Sequence, residues 1–164
     1  MESKSCFFIG SHDCPDCTYP RILDRIEKVI SEDNITNFYV GNHGKFDHMS
    51  AKAVVEMKQK YPEIKLFLLL PYPRKRIVLE NGFDDCFVPP DIPRGKFSII
   101  RANRYMTDHV DCIITGVFRV IGNSSKVLKH AYKRYKKGGL RIEDTLAPMR
   151  IWNNEPFPPF GKIS

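Results

Sequence analysis

The sequence predicts an α/β protein of the Rossmann-like, doubly wound class, a single domain with a mainly parallel sheet and an irregular C-terminal arm. Short apolar runs alternate with stretches of helical periodicity, which is the pattern of strand–helix units. Polar, glycine-bearing turns follow several of the runs. At 164 residues the chain can bury one proper core and is too short to expect two. The boundaries expected are residues 1–144 for the domain and 145–164 for the arm.

The elements follow in order. "CFFIG" (Cys6 to Gly10) reads as a buried strand, and "RILDRIEKVI" repeats Ile22, Leu23, Ile26, Val29 and Ile30 at helical spacing. "NFYVG" is the second strand. Met49, Ala53, Val54, Met57 and Tyr61 form the stripe of a second helix that stops near Pro62. "IKLFLLL" is a third strand, ended by Pro71 and Pro73. The stretch from Pro73 to Gly95 is irregular and holds one short extended piece near Cys86 to Val88. Phe97 to His109 is helical, with Ile99, Ile100 and Met106 expected inward. "DCIITGVF" is the next strand. Ser124 to Lys137 is a helix whose Val127, Leu128, Ala131, Tyr132 and Tyr135 face inward, stopped by Gly138 and Gly139. "LRIED" is a last strand, and the tail beyond it has no period.

Composition narrows the function. A formal charge of +7 favours an anionic partner. The longest apolar run, Leu66 to Leu70, is far short of a membrane span, and "MESKSCFFIGSHD" lacks the apolar core of a signal peptide. A cytoplasmic protein is therefore expected. The cysteines number five, an odd count, and Cys6 and Cys112 sit in strand-like runs, so they read as reduced thiols.

In a doubly wound sheet the ligand crevice lies beyond the carboxyl ends of the strands. Three turns fall at that edge: Gly10-Ser11-His12-Asp13, Gly41-Asn42-His43-Gly44, and Gly116 to Ser125. Glycine lets backbone approach a ligand closely, and a helix start offers unpaired N–H groups at the positive end of its dipole. The same residue types also serve ordinary connectors: Asp47 is placed to cap the second helix and Ser124 the last. Two familiar phosphate loops are absent, since the chain has no G-x-x-x-x-G-K-[ST], and "GNHGKFD" is not G-x-G-x-x-G.

"CFFIGSHD", "YVGNHGKFD" and "RANRYMTDHVDCII" resemble, in order and spacing, the YpsA-like branch of the SLOG superfamily, over roughly Cys6 to Gly139. The most specific pieces are G-x-x-G-x-[FY]-D after the second strand and R-x-N-R-x-M-x-D-H-x-D before the late strand. The resemblance implies a Rossmann-like fold that binds nucleotides or nucleotide-derived signals. It places Gly10, Ser11, His12 and Asp13 on the ligand from the first loop, and Gly41, Asn42, Gly44, Phe46 and Asp47 on the second wall. Arg101, Asn103, Arg104 and Asp108 would approach from the helix before the late strand, and Gly122, Asn123, Ser124 and Ser125 would close the phosphate side. The first loop departs from the branch's G-H-R, placing a titratable ring where an arginine could fork onto phosphate. The last loop departs from G-G-T or G-G-A.

The resemblance also bears on chemistry. Related phosphoribohydrolases carry P-G-G-x-G-T-x-x-E, and here the run "VIGNSSKVLKH" offers no carboxylate. Binding without turnover is therefore expected, in a sensor or in a sponge that sequesters a nucleotide signal of antiphage immunity. A phosphoribohydrolase-like N-glycosidase is the alternative. Single-stranded nucleic acid is a second alternative, suggested by Lys126, Lys129, Lys133 and Lys136 on one helix, and disfavoured because Tyr132 and Tyr135 fall on the apolar stripe. "HDCPDC" supplies His12, Cys14 and Cys17, one ligand short of a structural zinc site, and reads as a proline-stiffened loop. No metal and no cofactor is expected. A homodimer or tetramer is expected, with Trp152, Phe157 and Phe160 of the arm covered by a neighbour.

Overall fold

The computed structural model describes residues 3–117 and 122–146. Strand β1 (Lys4–Gly10) shows why the domain has three layers. Its residues Cys6 to Ile9 are all buried, and successive side chains of a strand point to opposite faces, so both faces of the sheet must be covered. Cys6 and Phe8 enter a core shared with Ile22, Ile26 and Val29 of α1 (Thr18–Asp33) and with Ala53 and Val54 of α2 (Lys45–Met57). Phe7 and Ile9 enter a second core, with Ala102 and Met106 of α3 (Ser98–His109) and Val127, Leu128 and Ala131 of α4 (Asn123–Lys136).

The other strands are β2 (Ile35–Val40), β3 (Lys65–Leu69), β4 (Asp85–Phe87), β5 (Cys112–Gly116) and β6 (Arg141–Asp144), in spatial order β4-β3-β2-β1-β5-β6. Every pairing is parallel. The chain winds outward from β1 to β4, then returns through α3 to place β5 on the other side of β1. The order therefore reverses between β1 and β5, the point where such sheets open a crevice. The stretch that the sequence reads as irregular is so: β3 and β4 are joined through residues 70–84 without a helix, and β4 falls on the extended piece expected near Cys86.

Local chemistry closes the element ends. Asn34 ends α1 in the left-handed conformation, and its N–H donates to Ile30 O at 3.1 Å. Glu32 and Asp33 stand at the negative end of the α1 dipole, and Arg141 of β6 donates to both at 2.9 Å. Arg134 of α4 donates to Thr107 O and Val110 O, covering carbonyls that α3 leaves unpaired at its end. The inward stripe of α3 is Ala102 and Met106, continued by Val110, and Ile100 packs against it. Ile99 is exposed, against the sequence expectation, because it falls one position off that stripe.

Phe46 sets the upper boundary of the core. It belongs to α2, yet its ring lies over the ends of β1 and β5, where Gly10 and Gly116 pair in register. A Cβ on Gly10 would stand 2.0 Å from Phe46 Cγ, and one on Gly116 would stand 2.4 Å from Phe46 Cε1. Both glycines thus make room for a side chain. Gly10→Ala is expected to cost about 1–3 kcal/mol through overpacking, and Phe46→Leu should lose stability through the space it leaves. The double variant should be less destabilised than the sum of the two in urea unfolding. Simple additivity would disprove the contact.

Candidate functional site

The three turns converge. Ser11 N–H donates to Gly116 O at 3.1 Å, and the hydroxyl of Ser124 donates to Gly10 O at 2.6 Å, so the first loop is clasped to the end of β5 and the start of α4. On its other side, Lys45 N–H donates to His12 O at 2.9 Å, which ties the first loop to the start of α2. Gly44 there has φ of 146°, and a Cβ on it would fall 2.7 Å from His12 Nδ1, so only glycine suits this junction. Lys45 also pairs with Asp16 across the same two segments.

Gly10 to Asp13, Gly41 to Asp47 and Gly122 to Ser125 therefore share one rim. Both helices that start there have glycine at the N-cap, Gly44 for α2 and Gly122 for α4, and neither carries a side-chain cap. This corrects two expectations. Asp47 does not cap the first turn of α2; its Oδ2 accepts the N–H of His43, at 3.0 Å, just outside the helix. Ser124 turns away from its own helix to Gly10. The first turn of α4 holds no acidic residue.

Not every sequence-predicted residue reaches the rim. Phe46 is 1% exposed and forms the floor beneath it, so it packs and does not present a face. The α3 residues separate along their helix. Arg101 and Arg104 are exposed and Asn103 is half-buried. Asp108 sits in the last turn, near the start of β5 and hence at the opposite edge of the sheet, where it pairs with His130 Nε2 at 2.9 Å. The helix that would deliver all four to one ligand is too long to do so, since seven residues of helix span about 10 Å.

The electrostatics centre on Asp47. Burial pushes its carboxyl up to about 6, although the His43 N–H and the neighbouring His48 and His12 rings act in the opposite direction. His43 is held below its ordinary value by burial, then by His12 and Arg74. A carboxyl and three histidines thus meet at this rim. His43 lies in a turn that the sequence places at this edge, whereas His48 and Arg74 were missed, Arg74 because it comes from the aperiodic stretch after β3.

Beside this rim opens a cavity of about 440 Å³, within the range of small-molecule sites. Gly41, Asn42 and Asp47 line it together with Lys52 and Val55 of α2, Leu68 of β3, and Asn81 and Phe83 of the β3–β4 connection. It lies under the ends of β2 and β3, one strand outward from the filled crevice between β1 and β5. The connection gave no periodic signal, which is why the sequence did not reveal this wall. The "HDCPDC" loop takes no part in it. Cys14 is buried, with burial pushing its thiol up to about 11, and Cys17 is exposed. Among the described residues no group of three His, Cys, Asp or Glu side chains is arranged to hold a metal.

The fold has known counterparts. It matches DNA processing protein A (DprA) from Streptococcus pneumoniae with a TM-score of 0.59 and 14% identity, over 87% of this chain and 50% of that one. DprA from Helicobacter pylori, which binds single-stranded DNA, gives 0.51 and 12% over 85% and 74% of the two chains. The Moco carrier protein from Chlamydomonas reinhardtii gives 0.50 and 9% over 87% and 76%. The fold is Rossmann-like. Identities this low establish the architecture alone, and the chain spans half the length of the S. pneumoniae protein. No family model matches the sequence, and no curated protein matches it significantly. No described helix is long and apolar enough to cross a membrane. Trp152, Phe157 and Phe160, expected to be covered by a neighbour, lie outside the described residues.

The buried carboxyl has a consequence for stability. With its folded value near 6 and the ordinary value at 3.8, Asp47 holds a proton in the folded state between these pH values that the unfolded chain has released. Its contribution therefore weakens as pH rises from about 4 to 6 and stays unfavourable above that. Asp47→Asn keeps an acceptor for His43 and should be more stable than the parent at pH 7.5, by about 1–2 kcal/mol. The gain should vanish near pH 4 when urea unfolding is repeated there.

Proposed function

We propose that this chain binds a nucleotide or nucleotide-derived signalling molecule at the carboxyl edge of its sheet and holds it without turnover, in the manner of YpsA-like SLOG proteins. The observation that carries this reading is the convergence of three loops and two helix starts without side-chain caps on one rim, next to a cavity of about 440 Å³. Oriented N–H groups and the positive ends of two helix dipoles suit phosphate, and a net charge of +7 assists the approach of an anion. Binding without turnover is supported by the lack of an acidic residue in the first turn of α4. A preorganised rim of this kind serves a sensor or a cytoplasmic sequestering protein equally.

Hydrolysis of an N-glycosidic bond is the competing reading, and one observation favours it: Asp47 combines a raised carboxyl with a place in the cavity wall. Single-stranded nucleic acid has less support. Lys126, Lys129, Lys133 and Lys136 are exposed on α4, but Tyr132 is 2% exposed and offers no stacking face to a base.

Incubation with AMP, ADP-ribose and cyclic ADP-ribose, followed by denaturation and chromatography, separates the readings. Recovery of an intact nucleotide in stoichiometric amount is expected. Release of a free base, abolished by Asp47→Asn, would establish the hydrolase. Failure of every nucleotide to be retained would remove both.

A further inference from the structure

Helix α2 has two working faces. Phe46, Ser50, Ala53 and Val54 turn into the domain. Asp47, Ala51 and Val55 follow one another at intervals of four residues, which stacks them in a strip along the helix, and this strip faces the cavity instead. Across the cavity stand Leu68 from the end of β3 and Phe83 from the β3–β4 connection, while Asn42 and Asn81 border it with carboxamides.

The far wall is fixed by its own bonds. Lys58 Nζ donates to Gly82 O at 2.7 Å and pairs with Asp84 at 2.5 Å, and Asp84 accepts the N–H of Leu66 at 2.8 Å. Gly82, with φ of 98°, brings the connection so close to α2 that a Cβ there would stand 2.3 Å from Val55 Cγ2. Burial would raise the Asp84 carboxyl, yet Lys58 and the Leu66 N–H outweigh it and hold the group below its ordinary value. The connection is thus held against α2 and β3 without help from a ligand, and such preorganisation favours affinity.

The lining selects a chemical class. Ala51, Val55, Leu68 and Phe83 give apolar surface that a bare phosphate or sugar would not use. Asn42, Asn81 and Asp47, with His48, Lys52 and Glu80 on the same wall, give donors and acceptors that a hydrocarbon would desolvate without pairing. A flat heteroaromatic ring with a polar edge satisfies both, its faces on the apolar side chains and its edge on the carboxamides, which are suited to paired bonds with a base. Gly41 and Asn42 connect the cavity to the rim where the loops and helix starts meet.

We propose that this cavity is the base pocket of a nucleoside 5′-phosphate, whose sugar crosses Gly41 and Asn42 and whose phosphate lies on the rim. The inference rests on the nucleotide reading given above and adds the position of the base, which sits outward of α2 and away from the crevice that Phe46 fills.

Isothermal titration with AMP and with ribose 5-phosphate tests it on the parent, on Ala51→Phe and on Asn81→Ala. Ala51→Phe fills the pocket and is expected to weaken AMP at least tenfold while leaving ribose 5-phosphate unchanged. Asn81→Ala alters an exposed loop side chain, so it folds even if the first variant does not, and should weaken AMP severalfold with the same selectivity. Unchanged AMP affinity in a folded variant, with ribose 5-phosphate still bound by the parent, would overturn the base pocket and leave the rim standing. If the parent binds neither compound, the nucleotide reading falls and this inference with it.

Discussion

The arrangement depends on the seat of one ring. Phe46 comes from the first turn of α2 and rests on two glycines at the ends of β1 and β5, so the helix start is held at the rim by core packing and not by its own caps. That single contact explains several others. It requires glycine at positions 10 and 116, it brings Gly44 against His12, and it closes the crevice that the reversal of strand order would otherwise leave open. The ligand proposed for this edge would thereby be kept above the floor and directed outward, toward the ends of β2 and β3. Interiors pack too densely for the ring to be moved without moving α2.

The polar groups at the rim act against their own solvation in a coherent way. Asp47 is held where its charge is disfavoured, with the His43 N–H and the rings of His48 and His12 beside it. A neutral carboxyl can donate as well as accept, so this position offers a donor to an incoming oxygen that a charged aspartate would repel. An anion seated nearby would favour the protonated form further, because two like charges at close range oppose one another.

Much of this architecture is legible in the residues because the relevant forces are local. The runs at Cys6, Phe38, Leu66 and Cys112 are apolar on both faces, which only a sheet covered by helices on both sides can bury, and helical spacing locates the four helices of the described residues. Errors arise where a distant partner outcompetes a near one. Asp47 and Ser124 have the sequence positions of caps, yet one turns to the backbone before the helix and the other to Gly10, 114 residues away. The glycines of the first and late strands suggest room for a ligand, and Phe46 takes that room. Asp108 is drawn to His130 by the packing of α3 on α4, which no motif encodes. The cavity wall is the least legible part, since residues 70–84 have no period and their course is set by Lys58, Gly82 and Asp84.

The same connection separates this chain from the generic features of its fold. Sheets of this class serve proteins with different ligands, and the differences lie in what is attached to the strand ends. Here the unit between β3 and β4 lacks the helix that the alternation calls for. Had a helix packed there, its apolar stripe would have sought the surface now shared by Val55, Leu68 and Phe83, because exposed apolar surface on both partners would be removed from water at once. An extended connection cannot cover that surface fully. Pinned at Gly82 and Asp84, it leaves a gap walled by α2 on one side and its own backbone on the other. The missing helix and the cavity are two descriptions of one fact about residues 70–84, and the rim loops gain a pocket beside them as a result.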